Sequence, residues 1–118
     1  MKILVAGSRS ITDKQVVIPI LDKHRSKITE IITGGSKGVD RIAEEWAEAQ
    51  GIPTTVIKPN WKIGRGAGFA NNESLLERAT AVIVIWDGES KGTKHVIETA
   101  KKNGKICYLH DISTISEK

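Results

Sequence analysis

Thr33-Gly34-Gly35-Ser36-Lys37-Gly38-Val39-Asp40-Arg41 is the stretch whose reading decides the fold. An apolar run rich in β-branched residues, Ile28 to Thr33, leads into it. Beyond it, Val39, Ile42, Ala43, Trp46 and Ala47 follow the i, i+3, i+4, i+7, i+8 spacing of one helical face. A strand therefore ends, three glycines and a serine turn the chain, and a helix begins. A helix start of this kind offers unpaired backbone N–H groups and the positive end of a dipole to an anion. The turn reads as a phosphate cradle, with Ser36, Lys37 and the amides of Gly34, Gly35 and Gly38 as its donors.

Working outward, the same unit repeats. Residues 2–6 form a continuous apolar run, typical of a strand buried on both faces. A helix with Val16, Val17, Ile20, Leu21 and His24 on one face follows, capped by Thr12 with Gln15 as its capping-box partner and bent at Pro19 unless it starts later. Helix two runs from 39 to Gln50, where Gly51 and Pro53 stop it. Strands are expected at 28–33, 54–57, 81–86 and 105–109, and further helices at 67–79 and 93–103. Strict alternation of strands and helices implies a parallel sheet with helices on both faces, a three-layer α/β/α sandwich. Of the common strand orders, 3-2-1-4-5 is favoured, because it makes strands one and four neighbours at the switch point where such sheets bind ligands. One domain is expected over residues 1–110, with a weakly ordered tail at 111–118.

The 118 residues carry a net charge of +4. Segments 7–13, 34–41, 58–66 and 87–94 hold eight basic residues against four acids, which is the whole excess. Charge concentrated in the loops between strands and helices suggests an anionic ligand; the alternative is that exposed loops simply collect basic residues. No apolar run reaches the roughly 18 residues of a membrane span, so no membrane partner is expected. Without a recognisable export signal, and with Cys107 as the single cysteine, a cytoplasmic location is expected and Cys107 reads as a buried inert thiol. His24, His95 and His110 have no metal-ligand spacing, so neither a metal nor another cofactor is expected, and His95 reads as solvated surface.

The glycine turn is neither a P-loop nor a dinucleotide fingerprint, since the required glycine spacings are absent. Asp40 opens helix two, where it serves either the helix dipole or a ribose hydroxyl. Gly7-Ser8-Arg9 closes strand one with phosphate-binding residue types. Asp87-Gly88-Glu89-Ser90-Lys91-Gly92-Thr93 closes strand four and repeats the Ser-Lys-Gly of 36–38 at 90–92, which fits two anion contacts flanking one elongated ligand. Trp61 lies in a basic, glycine-rich loop and can stack on a base or lid the pocket, Trp86 packs beneath the site, and Trp46 belongs to the core.

Gly7-Ser8-Arg9, Thr33-Gly34-Gly35, Gly38-Val39-Asp40, the Trp61…Gly64-Arg65…Ala67-Gly68…Asn72 stretch and Trp86-Asp87-Gly88…Ser90-Lys91-Gly92-Thr93 resemble the small stand-alone members of the SLOG superfamily. These are Rossmann-like domains related to the LOG phosphoribohydrolases and to the DprA/Smf DNA-processing proteins. The resemblance implies a site for a nucleotide-derived small molecule, a nucleoside phosphate or ADP-ribose-like ligand, and the candidate ligand-binding residues are Gly7, Ser8, Arg9, Gly34, Gly35, Ser36, Lys37, Gly38, Asp40, Trp61, Arg65, Asn72, Asp87, Gly88, Ser90, Lys91, Gly92 and Thr93. A sensor or binding module is the first reading. An N-glycoside hydrolase or transferase of LOG type is the alternative, with Asp87 and Glu89 as candidates to stabilise an oxocarbenium-like sugar, because Val96 stands where LOG enzymes carry their glutamate. DprA-like binding of single-stranded DNA is a further alternative. The resemblance also makes a homodimer paired through helices an expectation.

Overall fold

A computed structural model describes residues 1–64 and 66–113; Arg65 and the expected tail from 114 onward lie outside the described residues. Five strands, β1 (Lys2–Gly7), β2 (Glu30–Thr33), β3 (Thr54–Val56), β4 (Ala81–Trp86) and β5 (Ile106–Asp111), alternate with four helices, α1 (Lys14–Lys23), α2 (Val39–Gln50), α3 (Ala67–Arg78) and α4 (Lys91–Lys102). All strand pairs are parallel, and the order is β3-β2-β1-β4-β5. The fold is therefore the expected Rossmann-like α/β sandwich.

The two-residue period of the strands divides the core. Ile3, Val5, Ile31, Ile83 and Ile85 face α1 and α2, meeting Val17, Leu21, Ala43 and Trp46. Leu4, Ile32, Val82 and Val84 face α3 and α4, meeting Leu75, Leu76, Val96 and Ile97. Burial on both faces explains why β1 and β4 read as unbroken apolar runs. β4 sits between β1 and β5, and residues 81–85 are all buried.

Several boundaries differ from expectation, and those of α1, α4 and β5 have local reasons. Asp13, not Thr12, caps α1: its carboxylate accepts a hydrogen bond from the Gln15 amide at 2.9 Å. The helix runs through Pro19, which is exposed, so the Gln15 carbonyl left without a donor can turn to water. α4 starts at Lys91 because Ser90 caps it. β5 extends to Asp111, and Ile112 beyond it packs against the core. Cys107, expected to be buried, is only half-buried, because β5 is an edge strand; partial burial still raises its thiol pKa.

One polar cluster ties α1 to that edge. His24 is buried at the end of α1, with its Nε2 3.0 Å from Nε2 of His110 on β5. His24 also packs on the Tyr108 ring, over which the Lys27 ammonium sits. Burial lowers the pKa of both histidines below the ordinary 6.5; the charge of His110 adds to the effect on His24, and that of Lys23 to the effect on His110. Each therefore contributes stability at neutral pH that is lost as pH falls through 6.5 towards the folded value. The stability advantage of the parent over His110→Gln should accordingly be larger at pH 8 than at pH 5 in urea unfolding. An advantage that is the same at both would contradict the account.

Candidate functional site

β1 leads leftward to β2, and β4 leads rightward to β5, so the connections part above the C-terminal ends of β1 and β4. A cavity of about 500 Å³ opens there. The end of β1, Leu4 to Gly7, floors it. Arg9 and Ser10 from the β1–α1 loop, Gly34, Ser36 and Asp40 from the β2–α2 turn, and Asp87, Ser90, Gly92 and Thr93 from the β4–α4 turn form its polar walls. Trp61, Phe69 and Asn72 complete it from the β3–α3 loop and the start of α3.

Asp87 is the anchor between two of these turns. Its Oδ2 accepts from the Ser10 hydroxyl at 2.7 Å, and its Oδ1 accepts from the amides of Glu89 and Ser90, both at 2.8 Å. The Ser10 bond first, and the two amides with it, pull its pKa down to about 2. Its own amide donates to the hydroxyl of Ser8, which is fully buried and bolts the end of β1 to the end of β4. Asp87 is thus a permanent anion at neutral pH, unable to serve as a general acid. Glu89 is exposed and outside the cavity wall.

Asp40 is the opposite case. It is 6% exposed, and burial raises its carboxyl pKa to about 7 against an ordinary 3.8, although the amides of Ser36 and Gly34 hydrogen-bond to it. The Ser36 amide donates to its Oδ2 at 3.2 Å, and the Gly35 amide donates to Thr33 Oγ1 at 3.3 Å. Those amides of the opening turn therefore meet the protein's own oxygens. Lys37 is exposed, and it lies outside the cavity wall, as do Gly35, Gly38 and Gly88. At the β4–α4 turn the Ser90 side chain caps the Thr93 amide, leaving the first amides of α4, at Lys91 and Gly92, without intrahelical acceptors. Gly92 lines the cavity and has open space at its missing Cβ, while Lys91 is exposed and outside the cavity wall.

At the mouth, Trp61 is 60% exposed and rests near Gly68; Phe69 is also exposed and stacks on His95 with centroids 4.1 Å apart. His95 is not the free surface residue expected. Its Nδ1 lies 3.2 Å from Asn72 Nδ2, and its Nε2 lies 3.4 Å from Thr99 Oγ1. The same Asn72 nitrogen donates to the Gly92 carbonyl, which only accepts. Asn72 is thereby held with its amide nitrogen on α4. Trp86 donates from Nε1 to the Ser90 carbonyl and supports the turn from below.

Eleven of the expected residues thus meet at one cavity: Gly7, Arg9, Gly34, Ser36, Asp40, Trp61, Asn72, Asp87, Ser90, Gly92 and Thr93. Ser8 buttresses it, and Arg65 lies outside the described residues. Ser10, Phe69 and Asn71 were not anticipated. Phe69 precedes Asn72 by one helical turn, the signal by which it could have been found. No cluster of three or more metal-ligating side chains exists among the described residues.

Residues 1–64, more than half of the chain, match the model of a family described as YspA, cpYpsA-related SLOG. The chain belongs to that SLOG family. The matched part carries β1 to β3 and with them the Arg9, Ser36 and Asp40 walls of the cavity. Over 113 residues this SLOG chain is also 29% identical to the Gene 61 protein of Mycobacterium phage D29, covering 87% of the chain and 90% of that protein. SLOG membership supports, at a coarse level, a role in binding or modifying nucleotide-related molecules. No helix among the described residues is long and apolar enough to cross a membrane.

Proposed function

We propose that this SLOG protein is a binding module for a nucleotide-derived small molecule, a nucleoside phosphate or an ADP-ribose-like ligand. The convergence of three strand-to-helix turns on one cavity at the sheet's switch point carries the reading. In this reading Trp61 and Phe69 stack on the base. Arg9 and the open amides at the start of α4 hold a phosphate. Asp40, titrating at about 7, exchanges hydrogen bonds with ribose hydroxyls. The phosphate contact of the opening stretch shifts accordingly from the Gly34–Gly38 turn to the Ser90–Thr93 turn. A second reading, hydrolysis or transfer at an N-glycosidic bond, draws on the ionised Asp87 carboxylate in the cavity wall, which can stabilise an oxocarbenium-like sugar.

Incubation with AMP, NAD and ADP-ribose, followed by melting temperature and ligand integrity, tests both. A ligand at 100 times its dissociation constant adds about 2.7 kcal/mol of stability, which for a chain this size raises the melting temperature by about 10 °C. Stabilisation with intact ligand supports the binding module, and released base supports the hydrolase. Salt-sensitive binding of single-stranded DNA, without any nucleotide-induced shift, would overturn both. Arg9→Ala should weaken AMP about tenfold, the loss of one charge-assisted hydrogen bond, and leave adenosine nearly unaffected. Equal losses for the two ligands would remove Arg9 from the phosphate position.

A further inference from the structure

A second, smaller cavity of about 280 Å³ opens on the far side of the Ser10–Asp87 hydrogen bond. Ser10 and Asp87 belong to both walls, so the two cavities share one sill. Ile11, Thr12 and Asp13 from the end of the β1–α1 loop, Val16 from the first turn of α1, and Ile112 beyond β5 form most of the remaining wall. Ile11 is buried, and Val16 and Ile112 pack against the core, which makes a fixed apolar floor.

The charge of this space differs from that of the larger cavity. Its lining contains no lysine or arginine among the described residues, and it contains two carboxylates, Asp13 and Asp87. Asp13 is held in place as the cap of α1, and Asp87 by its three accepted hydrogen bonds. The charge of Asp87 also acts on a third carboxylate, Asp111 at the end of β5. A terminal phosphate entering here would meet like charges on an apolar floor. A sugar would find hydroxyl and carboxylate partners at Ser10, Thr12 and Asp87, and a neutral or cationic ring would find the floor. At about 30 Å³ per water, the space corresponds to on the order of nine waters, room for one such ring.

We propose that the smaller cavity is a second subsite for the same ligand, taking an uncharged or cationic sugar or heterocycle attached beyond the phosphate. The proposal rests on the nucleotide-binding reading above and specifies it: the ligand has two organic ends with its phosphate between them. The base end lies at Trp61 and Phe69, the phosphate passes Arg9 and the start of α4, and the far end crosses the Ser10–Asp87 sill.

Calorimetric titration with ADP, ATP, ADP-ribose and NAD tests this on the intact protein. ADP-ribose or NAD should bind at least tenfold tighter than ADP, and ATP should gain nothing from its third phosphate. Thr12 is exposed at the rim of the smaller cavity, and Thr12→Trp places a ring in that space. In this variant the ratio of ADP to ADP-ribose dissociation constants should fall to within about threefold of one, with melting temperature reporting that the fold is kept. Equal affinities for ADP and ADP-ribose in the parent, tighter binding of ATP than of ADP-ribose and NAD, or an unchanged ratio in a folded Thr12→Trp protein would each overturn the second subsite while leaving nucleotide binding itself standing. Failure of all four ligands to bind would instead overturn the functional reading, and the subsite with it.

Discussion

Asp40→Asn should gain stability relative to the parent by about 4 kcal/mol between pH 4 and pH 8, the free-energy equivalent of a carboxyl moved from 3.8 to about 7. The sign follows from proton linkage. Between those two values the folded protein holds a proton on Asp40 that the unfolded chain has released, so parent stability falls as pH rises through this window. Above about 7 both states are ionised and the penalty of a buried carboxylate is fully present. An asparagine carries no charge at either end. It can still accept the Ser36 amide, which donates to Asp40 Oδ2 in the parent. The histidine pair tilts stability the other way in part of the same range. It is common to both proteins, so it cancels from their difference. Urea unfolding of the two proteins at pH 4 and pH 8 measures the effect, and a pH-independent difference would refute the burial account. If Asp40 also meets ribose, the more stable variant should bind nucleotide more weakly, a trade of stability against function.

Gly38→Ala should destabilise the protein by about 3 kcal/mol or more and remove ligand binding, because backbone strain and overlap act together. Gly38 has φ of +76°, and a Cβ there would stand 2.7 Å from the carbonyl oxygen of Ser8, 2.8 Å from that of Arg9 and 2.9 Å from that of Ile11. All three obstacles are backbone atoms of the β1–α1 loop, which cannot yield as a flexible side-chain end would. The loop is itself closed by the Ile11 amide donating to the Ser8 carbonyl. Relief must therefore displace Arg9 and Ser10, both of which line the cavity. Gly51 provides the comparison, with φ of +72° and nothing near its missing Cβ. Gly51→Ala should cost only about 1 kcal/mol, the left-handed backbone alone, and leave binding intact. Similar losses for the two variants would show that strain rather than overlap dominates.

The two Ser-Lys-Gly tripeptides show where local sequence stops being informative. At 36–38 the serine amide turns to Asp40, the lysine is exposed outside the cavity wall and the glycine lies under the β1–α1 loop. At 90–92 the serine caps α4 and the glycine borders the cavity. The same three residues take different roles because a carboxylate stands four residues after Ser36 and a neighbouring loop crosses Gly38. The cap of α1 carries a similar lesson: Thr12 and Asp13 are adjacent and both suited to the position, and the path of the loop chooses between them.

Element order, the parallel sheet and the location of the cavity were legible because they depend on local periodicity and on the few topologies a right-handed crossover permits. Residues 81–85 are buried, as an unbroken apolar run requires, and α2 spans Val39–Gln50 between its two glycines as expected. The chemistry of individual side chains was not legible. Asp87 and Ser10 are 77 residues apart in the chain, and Asn72 and His95 are 23 apart, yet each pair shares a hydrogen bond. Asp40 looks like an ordinary acid of a first helical turn until α2 packs it to 6% exposure. Periodicity along the chain determined what forms and in which order. Only the tertiary structure decided which carboxylate is held as an anion and which near neutrality, because burial and hydrogen-bond partners come from segments remote in sequence.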